Sequence, residues 1–513
     1  MMRALGIDIG GTAVKAAVFD DRGHELGTAG ETTPVVTDEP GQVERDLART
    51  WQGILKAIAG ACQAARVDPA TIDCVATTGH GKGAYLRFAG EALPSVGIVS
   101  SDNRAARLAA ELGATEEYRT RILPRVTQPL WPSHSSAMLA WLRRQQPERY
   151  GRIEQVLFSK DFVTFMLTGR AHTDFTAATG SGLYRTDDNT VDPLVLAYFG
   201  IADLAAALPE ALPSHQVVGG VRREVASVTG LRQGTPVIAG LFDVNAAALA
   251  CAIRPDQDLS LVAGTWNIAT AITTRPESFA ASWASLAVQS HCIPGQWMVH
   301  EGSPTSASNL EWWLRHPFSL AGSPSWDVIN DHAARTADTS VLFFPYIYGS
   351  PHSPTATGTL LGLQSGTTTG ELIRAIYEGI AFQLLEHAEP MLRVVPDIDR
   401  LRLAGGLARS RPWLQLVADT FDRPLAVSAA NEIGALGAVI CGAVGIGAYA
   451  DYPTAMAQMT GFTDPLEPAP ARHDALRRRF ERFLSVRRSL SAAWDAAHAS
   501  GPVASDAPGD TGT

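Results

Sequence analysis

The chain has few cysteines, and their arrangement suggests neither a disulfide framework nor a metal site. Five cysteines are scattered over 513 residues, and none stands in a CxxC pair. We therefore expect buried, reduced thiols in a cytoplasmic protein. The first residues also lack a basic region followed by an apolar core, so the sequence predicts no signal peptide.

Long hydrophobic runs and strong positive charge are missing as well. The most apolar stretches, 237–253 and 435–450, fall short of the ~20 apolar residues of a spanning helix, so no membrane partner is expected. With 18% charged residues, a net charge of -10 and no long basic run, the chain is not expected to bind nucleic acid. Its length predicts two or more domains of globular composition.

Nucleotide-binding signatures of the Walker A and protein-kinase types are absent, and a different glycine-rich turn stands near the start. Residues 5–20 read LGIDIGGTAVKAAVFD, whose alternating apolar positions predict a β-hairpin. Gly10 and Gly11 lack a β-carbon, so their N–H groups can approach an anion. Thr12 adds a hydroxyl, and Asp8 can hold a hydrated Mg²⁺ beside the same anion. This pattern fits a triphosphate tail, although Gly-Gly turns commonly serve only as turns.

A second segment has the same shape as this hairpin. Residues 259–272 read LSLVAGTWNIATAI, with Gly264 and Thr265 standing where Gly11 and Thr12 stand. A duplicated α/β domain accounts for the repeat, and the alternative is that any two hairpins look alike. Further on, a predicted strand at 401–404 leads through Gly405 and Gly406 into a helix, an arrangement that favours an anion or nucleotide site.

Asp243 is the candidate for a general base. It interrupts an apolar run, GLFDVNA at 240–246, and a buried carboxylate without a partner is costly enough to suggest a pocket. The alternative from the residues alone is a helix N-cap before Ala246. An acceptor pocket is predicted from Lys82 at a strand end and from the polar run SSDNR at 100–104, and such runs also occur in ordinary surface loops.

These residues stand among motifs that resemble the FGGY carbohydrate kinases of the actin and hexokinase-like superfamily. The likeness extends to about residue 445, and its motifs follow the family's order: GIDIGGT at 6–12, PGQVE at 40–44, KD at 160–161, LTG at 167–169, TD at 173–174, GLFD at 240–243, GT at 264–265, RAIYEG at 374–379, AGGLARS at 404–410 and EIGALGA at 432–438. The resemblance implies an α/β fold of two actin-like (ribonuclease H-like) domains with a central cleft. We place the sugar-binding domain at 1–245, the ATP-binding domain at 246–490 and a flexible tail at 491–513.

The resemblance also implies a role for each site residue. Asp8 is expected on the Mg²⁺ side, and Asp243 is expected to deprotonate the sugar hydroxyl. The sugar contacts implied are Gly81, Lys82, Asp102, Arg104 and Asp243. The ATP contacts implied are Gly11, Thr12, Lys15, Gly264, Thr265, Glu311, Gly405, Gly406 and Ser410.

Within the family the likeness is greatest to L-xylulose and 3-keto-L-gulonate kinases. It rests on GHGKG at 79–83, SSDNR at 100–104, GTW at 264–266, TSASNLEW at 305–312 and PYIYG at 345–349. D-xylulose kinases commonly have histidine where Lys82 stands, and glycerol kinases have an Arg-Glu pair at Gly81-Lys82. We therefore expect ATP-dependent phosphorylation of a ketose or keto sugar acid, with an L-xylulose-like pentulose favoured. The role of Trp266 stays open between narrowing the ATP-side pocket and packing in the cleft.

Other functions remain as alternatives. They are a kinase for D-ribulose or D-xylulose, a catalytically weak sugar-sensing relative, and a chaperone- or actin-like ATPase. The ATPase is disfavoured because no further substrate-binding domain is expected after residue 445, and a regulator because only four residues precede Leu5. Asp8 and Asp243 are both present, which favours an active enzyme. The sequence leaves a homodimer open as the assembly.

Overall fold

Two large β-sheets organise the chain, and each contains one of the predicted hairpins. The computed structural model describes residues 2–37, 39, 41–264, 266–318 and 325–499. Thr265 and the end of the predicted tail, 500–513, lie outside the described residues. The five cysteines are buried and free, as the sequence predicts. Among the residues described, no helix is both long and apolar enough to cross a bilayer.

The first sheet has seven strands and begins with the predicted hairpin, Arg3–Ile9 and Ala13–Asp20. In the hairpin register Asp8 stands opposite Lys15. Cys74–Gly79 runs parallel to the first strand, which places the carboxyl end of that strand beside the Gly10–Gly11 turn. The remaining strands of this sheet are Glu25–Thr32, Val217–Gly220, Pro236–Ile238 and Leu241–Phe242.

The second sheet repeats the local topology of the first. Its hairpin consists of Asp258–Ala263 and Asn267–Thr273, and Arg400–Ala404 runs parallel to the first of these strands. In both sheets the opening strand therefore lies between its hairpin partner and a later parallel strand, which confirms the predicted duplication. The other strands of this six-stranded sheet are Ala287–Ser290, Trp297–Ser303 and Leu425–Val427.

Smaller sheets complete the strand content. A five-stranded sheet has strands on both sides of the first helix in sequence, and the acceptor loop, residues 80–83, connects the first sheet to one of its strands. Its strands are Val35–Val36, Glu44–Asp46, Val96–Ile98, Ala84–Phe88 and Ile153–Leu157. Two-stranded sheets join Thr173–Asp174 to Ala211–Leu212 and Leu342–Phe344 to Thr359–Leu361.

Helices cover the sheets, and the RAIYEG motif at 374–379 belongs to the long helix Thr369–Val394. The last helix runs to Ala499, so residues 491–499 are helical where the sequence predicted a flexible tail. That last helix is Pro470–Ala499, and the other α-helices are Leu47–Ala65, Ala106–Gly113, Leu123–Val126, Ser135–Gln145, Pro147–Tyr150, Ser159–Thr168, Phe175–Gly180, Pro193–Phe199, Arg223–Thr229, Asp243–Ala250, Ala307–Arg315, Trp326–Arg335, Arg411–Phe421, Ile433–Gly445 and Tyr452–Met459.

Two helices pack at very short range beneath the first hairpin. A β-carbon at Gly437 would stand 2.0 Å from the carbonyl oxygen of Ala246, so only glycine allows Ile433–Gly445 to approach Asp243–Ala250 this closely. Gly6 meets Ala435 in the same way, at 2.5 Å. The helix Ile433–Gly445 thus packs on the first sheet although it lies in the stretch assigned to the second domain. The boundary at 245/246, which falls inside Asp243–Ala250, stays a prediction.

Candidate active site

Asp243 lies at the start of a short helix in the interior between the two sheets. It is the first residue of Asp243–Ala250, and Phe242 holds the N-cap position, so the N-cap interpretation of Asp243 is not observed. Its Oδ1 atom is buried and has no hydrogen-bond partner among the described residues. Burial and the nearby charge of Asp8 raise the pKa of Asp243 to about 8, while the Val244 amide and Lys82 lower it. The pKa of this carboxylate therefore lies close to neutral pH, the range that suits a general acid or base.

The backbone before Asp243 is held by a buried polar network. Phe242 N donates to Thr176 Oγ1 at 2.8 Å, and that hydroxyl donates to Asp174 Oδ2 at 2.7 Å. Lys160 pairs with Asp174 at 3.0 Å and donates to the carbonyl of Ala239 at 3.1 Å. The KD and TD motifs of the sequence therefore support the segment that presents Asp243.

Asp8 is the last but one residue of the first strand, and its charge acts on Asp243. Burial raises the pKa of Asp8 to about 6; Lys15 opposes this shift, and Glu432 adds to it. Lys15 Nζ contacts both carboxylate oxygens of Glu432 at 3.0 Å. Lys15 is thus already paired, and its predicted contact with ATP stays a prediction.

The first predicted phosphate turn, at Gly11 and Thr12, is open. The second, at Gly264, lies against the turn at Gly405 and Gly406. Gly11 and Thr12 are exposed, and a β-carbon on Gly11 would meet nothing within 4 Å. In the second half Gly405 adopts φ +110, and a β-carbon there would stand 2.6 Å from Ala263. The structure therefore brings the Gly405–Gly406 turn against the start of the Gly264 turn.

The acceptor loop presents Lys82 in an unusual backbone conformation. Lys82 has φ 66, a left-handed value that costs a non-glycine residue about 1 kcal/mol or more and that often marks a functional constraint. Its Nζ atom lies 5.0 Å from the centre of the Trp131 ring, a cation–π contact. Burial lowers the pKa of Lys82 to about 8, and Asp243 opposes that shift. No carboxylate within the described ranges forms an ion pair with it.

Gly81 explains how the acceptor loop meets Asp243 and the second sheet. A β-carbon at Gly81 would stand 2.4 Å from the ring of Phe242, the residue before Asp243. That ring makes an edge contact with His300, at 5.9 Å between centroids. His300 belongs to Trp297–Ser303 of the second sheet, so both halves of the chain contribute to this pocket.

Two buried histidines border the same pocket, and the sequence reasoning missed both. His134 and His300 are 1% and 7% exposed, and each has an Nε2 atom without a partner in the described part of the chain. Burial lowers the pKa of His134 well below its usual range, with Lys82 and His300 adding to the shift. Burial and Lys82 lower the pKa of His300 to about 3. Because His134 Nδ1 accepts from Trp131 N at 3.1 Å, its neutral ring carries the proton on Nε2, a donor without an acceptor.

Asp102 and Arg104 lie together and form an ion pair with each other. Asp102 is fully buried and accepts from Arg104 Nη2 at 2.7 Å and from Val43 N at 2.6 Å. Arg104 also pairs with Glu44 at 2.8 Å. Lys82 does not pair with Asp102, and the carboxylate that influences Lys82 is Asp243.

Two other predicted nucleotide contacts also have partners of their own. Ser410 is fully buried, donates to Asn330 Oδ1 at 2.6 Å and caps the helix Arg411–Phe421. Glu311 lies on Ala307–Arg315 and pairs with Arg315 at 3.3 Å. That helix is tied to the second turn by a bond from Ala307 N to the Gly264 carbonyl at 2.9 Å. Their roles toward ATP stay predictions.

The chemistry of Asp8 and Asp243 fits a divalent cation. Mg²⁺ is commonly held by one or two carboxylates together with phosphate oxygens and water. Asp8 is such a carboxylate, and the orphaned Oδ1 of Asp243 is an oxygen that lacks a donor. The open Gly11–Thr12 turn, the Asp8 carboxylate and Lys82 are groups that suit an anion, a metal and an acceptor hydroxyl beside one base.

Comparison with known proteins agrees with this geometry. Residues 3–250 match the N-terminal domain and residues 259–446 the C-terminal domain of the FGGY family of carbohydrate kinases. A probable L-xylulose kinase of Pasteurella multocida is 33% identical, with 95% of this chain and 99% of the relative covered. The L-xylulose/3-keto-L-gulonate kinase of Escherichia coli is 31% identical over 93% of this chain and 95% of that protein.

Solved structures show the fold independently. The crystal structure of a xylulose kinase from Lactobacillus acidophilus superimposes with a TM-score of 0.88, covering 97% of this chain and all of the other at 20% identity. At that identity the likeness concerns the fold, which is the predicted pair of actin-like domains. Together with the two domain matches, it leads to one conclusion: this chain is a member of the FGGY family of carbohydrate kinases, and it is a sugar kinase.

Proposed function

We propose that the chain transfers the terminal phosphoryl group of ATP to a hydroxyl of an L-xylulose-like pentulose, with Asp243 as the general base. The observation that carries this proposal is the buried Asp243 carboxylate, whose Oδ1 atom has no hydrogen-bond partner among the described residues and whose charge acts on the Lys82 ammonium, in a pocket bordered by both halves of the chain. A base and a cation at one acceptor site suit a polyhydroxy ketone, whose hydroxyl and carbonyl groups need both kinds of partner. The names of the relatives from Pasteurella multocida and Escherichia coli support the same sugar class.

The chain's own residues provide the steps of transfer. Lys82 and His134 Nε2 orient the acceptor by donating to its oxygens, and His300 Nε2 forms a further hydrogen bond with it. Asp243 takes the proton of the attacking hydroxyl while that oxygen forms its bond to phosphorus and the bond to the leaving ADP breaks. Gly11 and Thr12 provide backbone N–H groups for the phosphates. Asp8 would hold Mg²⁺, which would neutralise charge on the phosphate oxygens.

Both halves of the chain take part in binding the acceptor and the nucleotide, so transfer requires the two halves to close over the sugar. Water is a competing acceptor for the phosphoryl group, so the proposed reaction requires its exclusion. His300, which reaches the first half from the second sheet, is suited to contact a sugar only when the halves are together.

A coupled assay of ADP release on a panel of ketoses and sugar acids tests the proposal. We expect the highest kcat/KM on L-xylulose and strict dependence on ATP and Mg²⁺. D-xylulose, D-ribulose and glycerol are expected to be poorer acceptors. Highest activity on D-xylulose or D-ribulose, or no activity on any sugar, would overturn the assignment of the acceptor.

A keto sugar acid is the second candidate acceptor, and Lys82 favours it. Its ammonium group is free of an ion pair across the described residues, so it can receive a substrate carboxylate. A charged hydrogen bond of this kind contributes ~1.5–3 kcal/mol, or one to two decades of discrimination. In the Lys82→Met variant, we expect kcat/KM on 3-keto-L-gulonate to fall about tenfold more than kcat/KM on L-xylulose. An equal proportional loss on both acceptors would exclude the carboxylate interaction.

That the protein forms a homodimer stays a prediction.

A further inference from the structure

A buried arginine behind the first phosphate turn has no ion-pair partner within the described residues. Arg45 is 1% exposed and lies on the strand Glu44–Asp46. Its acidic neighbours are engaged elsewhere, Glu44 with Arg149 and Arg104, and Asp46 with the N-terminus of the helix Leu47–Ala65. An uncompensated buried cation is costly, so its retention calls for a physical reason.

The guanidinium of Arg45 bonds to the turn itself. Its Nη2 atom donates to the carbonyl oxygens of Gly10 at 3.1 Å and Gly11 at 2.5 Å. Its Nη1 atom donates to Tyr85 Oη at 3.2 Å, and Tyr85 Oη contacts His80 Nε2 at 3.0 Å. Burial and the charge of Arg45 lower the pKa of His80 to about 3, so His80 adds no second charge there.

Peptide geometry converts these bonds into an orientation of the turn. In a trans peptide the N–H group points opposite to the carbonyl of the preceding residue. Holding the Gly10 and Gly11 carbonyls inward therefore directs the N–H groups of Gly11 and Thr12 outward, to the exposed side of the turn. Those are the groups assigned to the phosphates of ATP.

We propose that Arg45 is a positioning residue for the polyphosphate of ATP. It fixes the outward orientation of the Gly11 and Thr12 amides and adds a positive field behind them. This inference rests on the proposed function, because it takes the first hairpin turn as the phosphate site. Arg45 acts through the backbone of the turn and does not itself touch the nucleotide.

A purely structural role for Arg45 makes a different prediction. If the guanidinium only stabilised the fold, its loss would lower the melting temperature and would weaken all ligands to a similar degree. If Arg45 positions the turn for phosphate, its replacement by a neutral side chain weakens some ligands far more than others. Affinity is then lost in proportion to the number of phosphates on the ligand.

The experiment compares Arg45→Gln, Arg45→Lys and a matched control, Arg423→Gln, in the full chain. Arg423 likewise donates to two backbone carbonyls, those of Ile398 and Phe421, both at 2.8 Å and both remote from the first hairpin. Titration calorimetry with adenosine, AMP, ADP and ATP in Mg²⁺ measures affinity, and thermal unfolding measures stability. For Arg45→Gln we expect a ~10–100-fold weaker Kd for ATP and less than ~3-fold for adenosine, with Arg45→Lys intermediate.

The outcomes separate this inference from the proposed function. Wild-type affinity for ATP in Arg45→Gln, or an equal loss for adenosine and ATP, would overturn the role of Arg45, as would failure of wild type to bind ATP. If Arg45→Gln does not fold, wild-type ATP affinity in Arg45→Lys would also overturn it. A wild-type chain that binds ATP but phosphorylates no keto sugar would overturn the proposed acceptor only, and the ratio of nucleotide affinities would still decide the role of Arg45.

Discussion

Gly434 lies directly against the carboxylate of Asp8. A β-carbon at position 434 would stand 2.3 Å from Asp8 Oδ2 and 3.0 Å from its Cγ atom. The first distance is shorter than real β-carbon contacts, and the second is at their lower limit. The first turn of the helix Ile433–Gly445 therefore determines where the carboxylate of the first strand can lie. The two residues are far apart in sequence, so this contact exists only because the fold brings the helix and the strand together.

The Gly434→Ala variant should lose activity because it displaces the carboxylate of Asp8. We expect kcat to fall ~10–100-fold, the range produced by small misplacements of reacting groups. Steady-state kinetics on the sugar that is the best acceptor measures the loss. Gly366→Ala is the matched control, since a β-carbon there would meet nothing within 4 Å. A wild-type kcat for Gly434→Ala would show that the position of Asp8 is unimportant.

His300 should contribute to binding of the sugar from the second half of the chain. Replacing His300 by Leu removes an unpartnered buried ring nitrogen, and we expect the KM for the sugar to rise ~10-fold while the KM for ATP changes little. His24→Leu serves as the control because His24 lies on the surface, where its ring contacts Asp20. A change in the KM for ATP alone would place His300 on the nucleotide side instead.

The pH profile of the enzyme should depend on Lys82. Asp243 must be deprotonated to act as a base, so kcat/KM should rise with pH through the pKa of Asp243, which is about 8 without ligands. The Lys82 cation favours the charged carboxylate and thereby lowers that pKa. Removing the cation in Lys82→Met should therefore move the ascending limb to higher pH, by roughly half a unit or more. A limb that stays in place, or moves to lower pH, would mean that Lys82 does not influence the base.

Local patterns made the two hairpins and Asp243 predictable. Alternating apolar residues around Gly10 and Gly11, and again around Gly264, identified strands that the structure contains in matching topology. Asp243 was identifiable because one carboxylate interrupts an apolar run, a signal that does not depend on distant residues.

His134, His300 and Arg45 could not be identified in the same way. A single histidine has no spacing signal, and His300 reaches Phe242 only because the two halves of the chain meet. The partners of Arg45, the carbonyls of Gly10 and Gly11, lie far from it in sequence. Asp102 was predicted as a sugar contact, and its ion pair with Arg104 could not be foreseen because that pair depends on the backbone of a loop, which the sequence does not encode in a periodic pattern.

Phosphoryl transfer by the Asp243→Asn variant tests the central claim most directly. The substitution keeps the size of the side chain and removes its ability to take a proton, and general-base assistance contributes ~10²–10⁴-fold to rate. Transfer to the best acceptor sugar, binding of Mg·ATP and thermal unfolding are measured on the same preparation. We predict that transfer falls by at least ~10²-fold, while the affinity for Mg·ATP and the melting temperature stay near those of wild type. A variant that keeps the wild-type kcat would contradict the assignment of Asp243 as the base.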